Sequence, residues 1–370
     1  MRAPNSSRFR GARRPGLWFA IATVVVVVPL NGCVVGDTVP ENVYLVTASQ
    51  PTATAEITKT VLANGGVPLE VFDEFGIVQA ALEPETATEA AGWDGVAAVE
   101  RDLGFTPNAI AQHVHPASEL QTEPWGVRVV GGPVVPRHAL WVLDSGVDLD
   151  HADLNIDRQR SYDVIALRDP DDAADVAHGT AVAGVAAAID NDDGVVGVAP
   201  GALVASVRVL DSSRRGATSD LLAGLAHVYA NATVGDVANI SLTAPGHSAA
   251  ITVAVAALVS RGISVVVAAG NSGSNVENYS PASIDMVGVW TIGASTKDDC
   301  IASFSNRGSG LDLLAPGVDI VTLAPGGGLA VFEGTSLAAP HVAGLMLGDA
   351  LMSRALTCGG ASSLHAAIAR

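Results

Sequence analysis

From about residue 123 onward, short apolar runs alternate with helix-length segments, and this alternation constrains the fold more than any other feature of the chain. Ala139–Leu143, Leu203–Leu210, Val237–Leu242, Ile263–Ala269 and Val287–Gly293 read as strands buried in a parallel sheet. Between them Ala217–Ala230 and His247–Arg261 have the length and composition of helices. Such an order specifies an α/β architecture, one doubly wound, mostly parallel sheet covered by helices on both faces. With 49% apolar and 16% charged residues the chain can bury a large core and is not a disordered one. Its formal net charge of −18 argues against binding nucleic acid, whose phosphates it would repel.

Polar residues close several of these runs. Asp144 follows Leu140–Leu143 and leads into the turn Ser145-Gly146, at the strand end where open α/β sheets gather their chemistry. His178 begins the small-residue helix Gly179–Val185, and Asn271 stands beyond Gly270 after the run Ile263–Ala269. Ser336 sits after Gly334-Thr335, at the start of an apolar helix whose free N–H groups and dipole favour developing negative charge. On local grounds alone, Ser336 reads first as a helix-capping serine. Together, a carboxylate, an imidazole, a carboxamide and an alcohol are the groups that acyl transfer through a serine requires.

Asp-Ser-Gly at 144–146, His-Gly-Thr at 178–180, Ala-Ala-Gly-Asn at 268–271 and Gly-Thr-Ser-Leu-Ala-Ala-Pro-His at 334–341 resemble, in order, the four signatures of the subtilase family of serine proteases. The resemblance implies a subtilisin-like fold and peptide hydrolysis by Asp144, His178 and Ser336, with Asn271 as an oxyanion donor. It also implies that Ser241, Leu242 and Thr243 pair with a peptide or protein substrate, and that Ala268, Ala269 and Gly270 wall its specificity pocket. Thr243 and Ala244 stand where relatives commonly have Gly-Gly, so side chains are expected at the pocket edge. Ala181 replaces a second histidine that many relatives carry.

The front of the chain is organised differently. Arg2, Arg8, Arg10, Arg13 and Arg14 precede the apolar stretch Leu17–Leu30, which reads as a signal peptide within residues 1–33. Leu30-Asn31-Gly32-Cys33 resembles a lipobox, with Cys33 as the lipidated residue. The expectation is an exported protein, tethered by lipid to the outer face of the cell membrane or freely secreted. Residues 37–105 read as β-α-β-β-α-β, a small α+β ferredoxin-like unit. Its position resembles the inhibitory propeptide of subtilases, which makes the chain its own inhibitor and predicts self-cleavage between Leu103 and Thr122. Residues 106–122 read as a linker loop, His113 and His115 included, and 123–370 as the catalytic domain.

If Cys33 carries lipid, Cys300 and Cys358 remain for a disulfide in an oxidising compartment, or stand as two buried thiols. No cofactor is expected for catalysis. The acidic loop Ile189–Val195 offers hard oxygens and resembles the calcium loop of subtilases, which implies Asp153 and Asn191 side chains with Ile189, Asp193 and Val195 carbonyls as structural ligands. A solvated acidic turn is the other reading of that loop. The alternative to a protease is a catalytically silent, lipid-anchored subtilase-fold scaffold.

Overall fold

The computed structural model describes residues 42–107, 110–115, 121–168, 175–355 and 365–369. Six parallel strands form the middle of the main sheet, in the order Leu313–Pro316, Val289–Ser295, Ser264–Ala268, Val237–Ile240, Leu140–Asp144 and Leu203–Arg208. Asn155–Ile156 and Tyr162–Asp163 extend one edge, and His365–Ala369 with its antiparallel partner Leu351–Ala355 extends the other.

Alternation along each strand sends successive side chains to opposite faces. Leu140, Val142, Val204, Val266 and Ile292 share a core with Val182, Ala183, Ala186, Ala338, Val342 and Leu345, from the helices Ala177–Ala187 and Thr335–Leu347. Trp141, Leu143, Val207, Ile240 and Val265 share another with Leu221, Leu225, Ile251, Val255 and Leu258, from Thr218–Asn231 and Ala249–Ser260. The sheet is therefore covered on both sides. The first two helices are apolar around their whole circumference and almost wholly buried, as core helices are.

Residues 42–101 fold as β-α-β-β-α-β, with four antiparallel strands in the order Val67–Phe72, Ile77–Ala81, Val43–Ala48 and Val96–Arg101. The helices Thr54–Ala63 and Pro84–Ala90 close one face, where Val46, Val78 and Leu82 pack with Ile57, Val61, Ala87 and Ala90. The opposite face, through Leu45, Phe72, Phe75 and Ile77, joins the core around Thr218–Asn231 and Ala249–Ser260. A sheet apolar on both faces needs cover on both, and the larger domain supplies the second.

One expectation is corrected here. The stretch 106–122, read as a linker loop, holds the end of one strand, Gly104–Pro107, and the whole of another, Ile110–His115, because edges of the larger domain pair with them. The segment before the serine helix is an antiparallel hairpin of Ile320–Leu323 and Leu329–Glu333. The partners of Gly104–Pro107 and Ile110–His115 lie more than a hundred residues along the chain, beyond the reach of a local pattern.

Candidate active site

Asp144 is the last residue of its strand and His178 the second of its helix, and both are fully buried. His178 Nδ1 lies 2.7 Å from Asp144 Oδ1, which also accepts from the Ser145 N–H at 2.6 Å. A carboxylate accepts only, so Nδ1 carries the proton and Nε2 is left with its lone pair. That Nε2 is buried without a partner among the described residues.

Neighbouring motif residues brace this pair. Ser145 Oγ accepts from Gly179 N at 3.3 Å, and Thr180 Oγ1 accepts from Asp148 N at 2.8 Å. A Cβ on Gly179 would stand 2.1 Å from the Gly146 carbonyl oxygen, so only glycine lets the helix approach the turn this closely.

Ser336 lies in the first turn of Thr335–Leu347, which Gly334 enters at φ 149°, and its N–H belongs to the group with no partner inside the helix. Its hydroxyl donates to the Ser241 carbonyl at 3.0 Å, and the Ser241 hydroxyl donates back to the Ser336 carbonyl at 2.9 Å. No hydrogen bond joins Ser336 to His178 among the described residues, so the expected meeting of all four groups is incomplete at this point. The Ser241 carbonyl is the acceptor that this side-chain rotamer reaches, and χ1 rotation of the serine chooses between acceptors.

Asn271 belongs to a loop after Ser264–Ala268 that wraps around Asn306. The Asn306 amide donates to the Ala269 carbonyl at 2.8 Å, and its oxygen accepts from Ser272 N and Ser274 N at 3.1 and 3.0 Å. Thr335 donates to Asn271 Oδ1 from N and Oγ1, and its hydroxyl accepts from Gly270 N. Asn306 and the Thr335 hydroxyl were missed from the sequence. Neither sits on a run or a period that singles it out.

The pocket walls foreseen at Ala268, Ala269 and Gly270 meet Thr243, whose hydroxyl is 3.5 Å from where a Cβ on Gly270 would stand. Leu242 is fully buried and Thr243 nearly so. Beside them Gly104–Pro107 runs antiparallel to Leu242–Pro245 on one side and to Gly216–Ala217 on the other. Two carboxylates hold it there, Glu100 on the preceding strand Val96–Arg101 and Asp102 just after that strand. Asp102 accepts from Ser219 N at 3.0 Å and Ser219 Oγ at 2.7 Å, and Glu100 accepts from Ala249 N at 2.8 Å and from the Ser248 hydroxyl. Both pairs lie at helix N-termini, where a carboxylate meets unpaired N–H groups and the positive dipole end.

At the acidic loop, Asp153 accepts from the Asn191 amide at 3.0 Å and from Val195 N at 3.3 Å. Burial, more than the nearby Asp193, pushes its carboxyl up to about 6. Asp193 contributes its N–H to Asn191 Oδ1 at 2.9 Å. The amide of Gln121, which sequence reading passed over as linker, donates to the carbonyls of Ile189 and Val195 at 2.7 and 3.4 Å and to Asn191 Oδ1 at 3.4 Å. Among the described residues no group of three or more acidic, histidine or cysteine side chains is poised for a metal. The oxygens here come mostly from carbonyls and amides, a set suited to a hard cation. Cys33 and Cys358 lie outside the described residues.

The family model described as the subtilase family matches residues 139–348. The chain belongs to the subtilase family. As a subtilase it is a serine endopeptidase, similar to the alkaline protease of Alkalihalobacillus alcalophilus, at 34% identity over 81% of this chain and 79% of that one. Subtilisin E of Bacillus subtilis (strain 168) is 33% identical over 84% of this chain and 80% of its own. Among solved structures, a cold-adapted subtilisin-like serine proteinase aligns with a TM-score of 0.51 at 34% identity, covering 62% of this chain and 84% of that one. Fervidolysin from Fervidobacterium pennivorans, a keratinolytic enzyme related to subtilisin, aligns at 0.68 and 23% identity, covering 84% and 55%, and shares the subtilase fold.

Proposed function

We propose that this subtilase is made as a self-processing zymogen and exported, and that it cleaves peptide bonds through Asp144, His178 and Ser336. The observation that carries the reading is the buried 2.7 Å contact of His178 Nδ1 with Asp144, which sets the tautomer whose Nε2 accepts a proton. Ser336 turns from the Ser241 carbonyl toward His178 when a substrate carbonyl enters, because a serine hydroxyl is nucleophilic at neutral pH only when a base takes its proton. His178 then returns that proton to the leaving amine. Asn271 and the Ser336 N–H donate to the oxyanion, with the Asn271 carboxamide fixed through Thr335. A fluorophosphonate probe tests this directly: purified protein labels and Ser336→Ala does not. Absence of label on the processed wild type would refute the assignment.

Residues 37–105 act in this reading as the intramolecular inhibitor, supported by the strand Gly104–Pro107 at their end lying against Leu242–Pro245. The basic and apolar segments before Leu30 support export, and Cys33 is the site for a lipid tether. The bonded state of Cys300 supports its pairing with Cys358. Asp153, Asn191 and the carbonyls of Ile189, Asp193 and Val195, joined by Gln121 once its amide is turned over, would hold a structural calcium ion. Bound there, calcium would fasten the loop to the start of the catalytic domain and take no part in the chemistry.

A further inference from the structure

We propose that Asn239 and the Ser241 hydroxyl are positioning residues for the nucleophile, because together they supply the hydrogen bond that Pro340 removes from the Ser336 carbonyl. The inference rests on Ser336 being the nucleophile and goes beyond it by naming what fixes that residue's main chain.

In an α-helix the carbonyl of Ser336 would accept from the N–H of residue 340. Position 340 is a proline inside the helix Thr335–Leu347, so it has no N–H to give and its ring presses on that carbonyl. Ser336 is fully buried, where an unpaired carbonyl is costly. The Ser241 hydroxyl fills the gap, donating to the Ser336 carbonyl at 2.9 Å.

A hydroxyl has one proton and can turn it elsewhere. Asn239 directs it, through an amide Nδ2 that donates to Ser241 Oγ at 2.9 Å. A carbonyl only accepts, so the Ser241 proton lies toward Ser336 and Ser241 Oγ accepts from Asn239. This settles which way the Asn239 amide faces. It also leaves Asn239 Oδ1 buried without a partner among the described residues, a loss for stability alone that is accounted for by the direction its donor must take.

Asn239 is well anchored for the task. It lies in the strand Val237–Ile240, level with Val142 on one neighbouring strand and Val266 on the other. Residues level with one another share a face of the sheet, and these two valines share a core with Ala338 and Val342 of the serine helix. The chain Asn239 to Ser241 to Ser336 thus ties the centre of the sheet to the first turn of that helix. A shift of the Ser336 main chain would displace its hydroxyl and its N–H together, so breaking the chain should be felt in kcat.

Steady-state kinetics of the mature enzyme on a peptide substrate test the proposal. Ser241→Ala keeps the backbone and removes the hydroxyl; kcat should fall about tenfold with KM within about twofold, as for one lost hydrogen bond to a placed group. Asn239→Ala should lower kcat by a smaller factor, because Ser241 keeps its proton and loses only its direction. The double variant should match Ser241→Ala, since Asn239 acts through Ser241 alone. Pro340→Ala gives the Ser336 carbonyl its helical donor back, so it should recover most of the lost kcat in Ser241→Ala, measured against its own effect on the wild type. Lost packing would not be recovered in this way. The recovery is read in Asn239→Ala as well, so the test stands even if Ser241→Ala does not mature. Where the wild type labels with fluorophosphonate, an unchanged kcat in Ser241→Ala, a loss carried by KM, effects that multiply in the double variant, or no recovery with Pro340→Ala would overturn the proposal and leave the protease reading intact. A wild type that never labels would instead sink Ser336 as nucleophile, and this proposal with it.

Discussion

Thr335 holds the Asn271 carboxamide by its oxygen, with the backbone N–H at 3.0 Å and the hydroxyl at 2.9 Å. Two donors on one oxygen fix which way the amide faces, so the donor side of Asn271 is set before any substrate arrives. Asn271→Ala is expected to lower kcat on the order of 100- to 1,000-fold with little change in KM, a magnitude that belongs to subtilisin itself. Thr335→Val keeps the backbone donor and removes the hydroxyl; about one hydrogen bond of orientation, or roughly tenfold in kcat, should be lost. A change confined to KM would argue against a positioning role. Steady-state kinetics on a peptide substrate separate the two.

The positions of Asp144, His178 and Ser336 were legible because each stands where an apolar run starts or stops, and run boundaries are visible in one dimension. The small domain was legible for the same reason, since its alternating strands and helices are complete within about 60 residues. What stayed hidden depends on partners distant in sequence. Gly104–Pro107 becomes a strand only through edges more than a hundred residues away, and Asn306 matters only because the loop of Asn271 closes around it. Gln121 looked like linker until its amide met carbonyls about 70 residues downstream. The direction of the Ser336 hydroxyl is a rotamer choice, which no sequence pattern encodes.

Gly179→Ala tests how closely the two motifs must approach. Its new methyl would meet the Gly146 carbonyl at 2.1 Å, so the helix start must retreat and carry His178 from Asp144. The expected cost is about 2 kcal/mol in stability, within the usual range for overpacking, together with loss of most activity. Denaturant unfolding in the Ser336→Ala background measures the first without self-digestion. Wild-type stability in the variant would mean the turn yields easily.

The carboxylates of Glu100 and Asp102 cap two helices that belong to the other domain. Replacing both by alanine removes those caps, at about 1 kcal/mol each, and leaves Ser336 and its partners untouched. Release of the inhibitory segment should then be faster, and the lag before activity appears should shorten by roughly an order of magnitude. An unchanged lag would show that apolar contacts alone govern release.

Chelation should destabilise the mature enzyme and leave its chemistry alone. With calcium at about 100 times its dissociation constant, linkage adds about 2.7 kcal/mol, which for a domain of this size is roughly 5–10 °C in Tm. Asp153→Asn and Gln121→Ala should each shrink the calcium-dependent difference. A Tm indifferent to calcium in wild-type protein would leave the loop as a solvated turn.

His341 is expected to make the fold sensitive to mild acid. It is fully buried in the serine helix, Nδ1 donates to the Leu337 carbonyl at 2.7 Å, and Nε2 has no partner among the described residues. Burial lowers its pKa from 6.5 to about 4 despite that hydrogen bond. Between those values the unfolded chain binds a proton that the folded chain refuses, so stability is complete above pH 6.5 and falls as pH drops toward 4. The loss approaches about 3 kcal/mol across the window and levels off below it, where both states are protonated. Other groups titrate in the same range, so the reading is a difference: in the Ser336→Ala background, urea unfolding at pH 7, 5.5 and 4.5 should show a shallower acid slope when His341 is replaced by Asn. Parallel slopes for the two proteins would mean that the buried imidazole finds a proton acceptor or water on acidification.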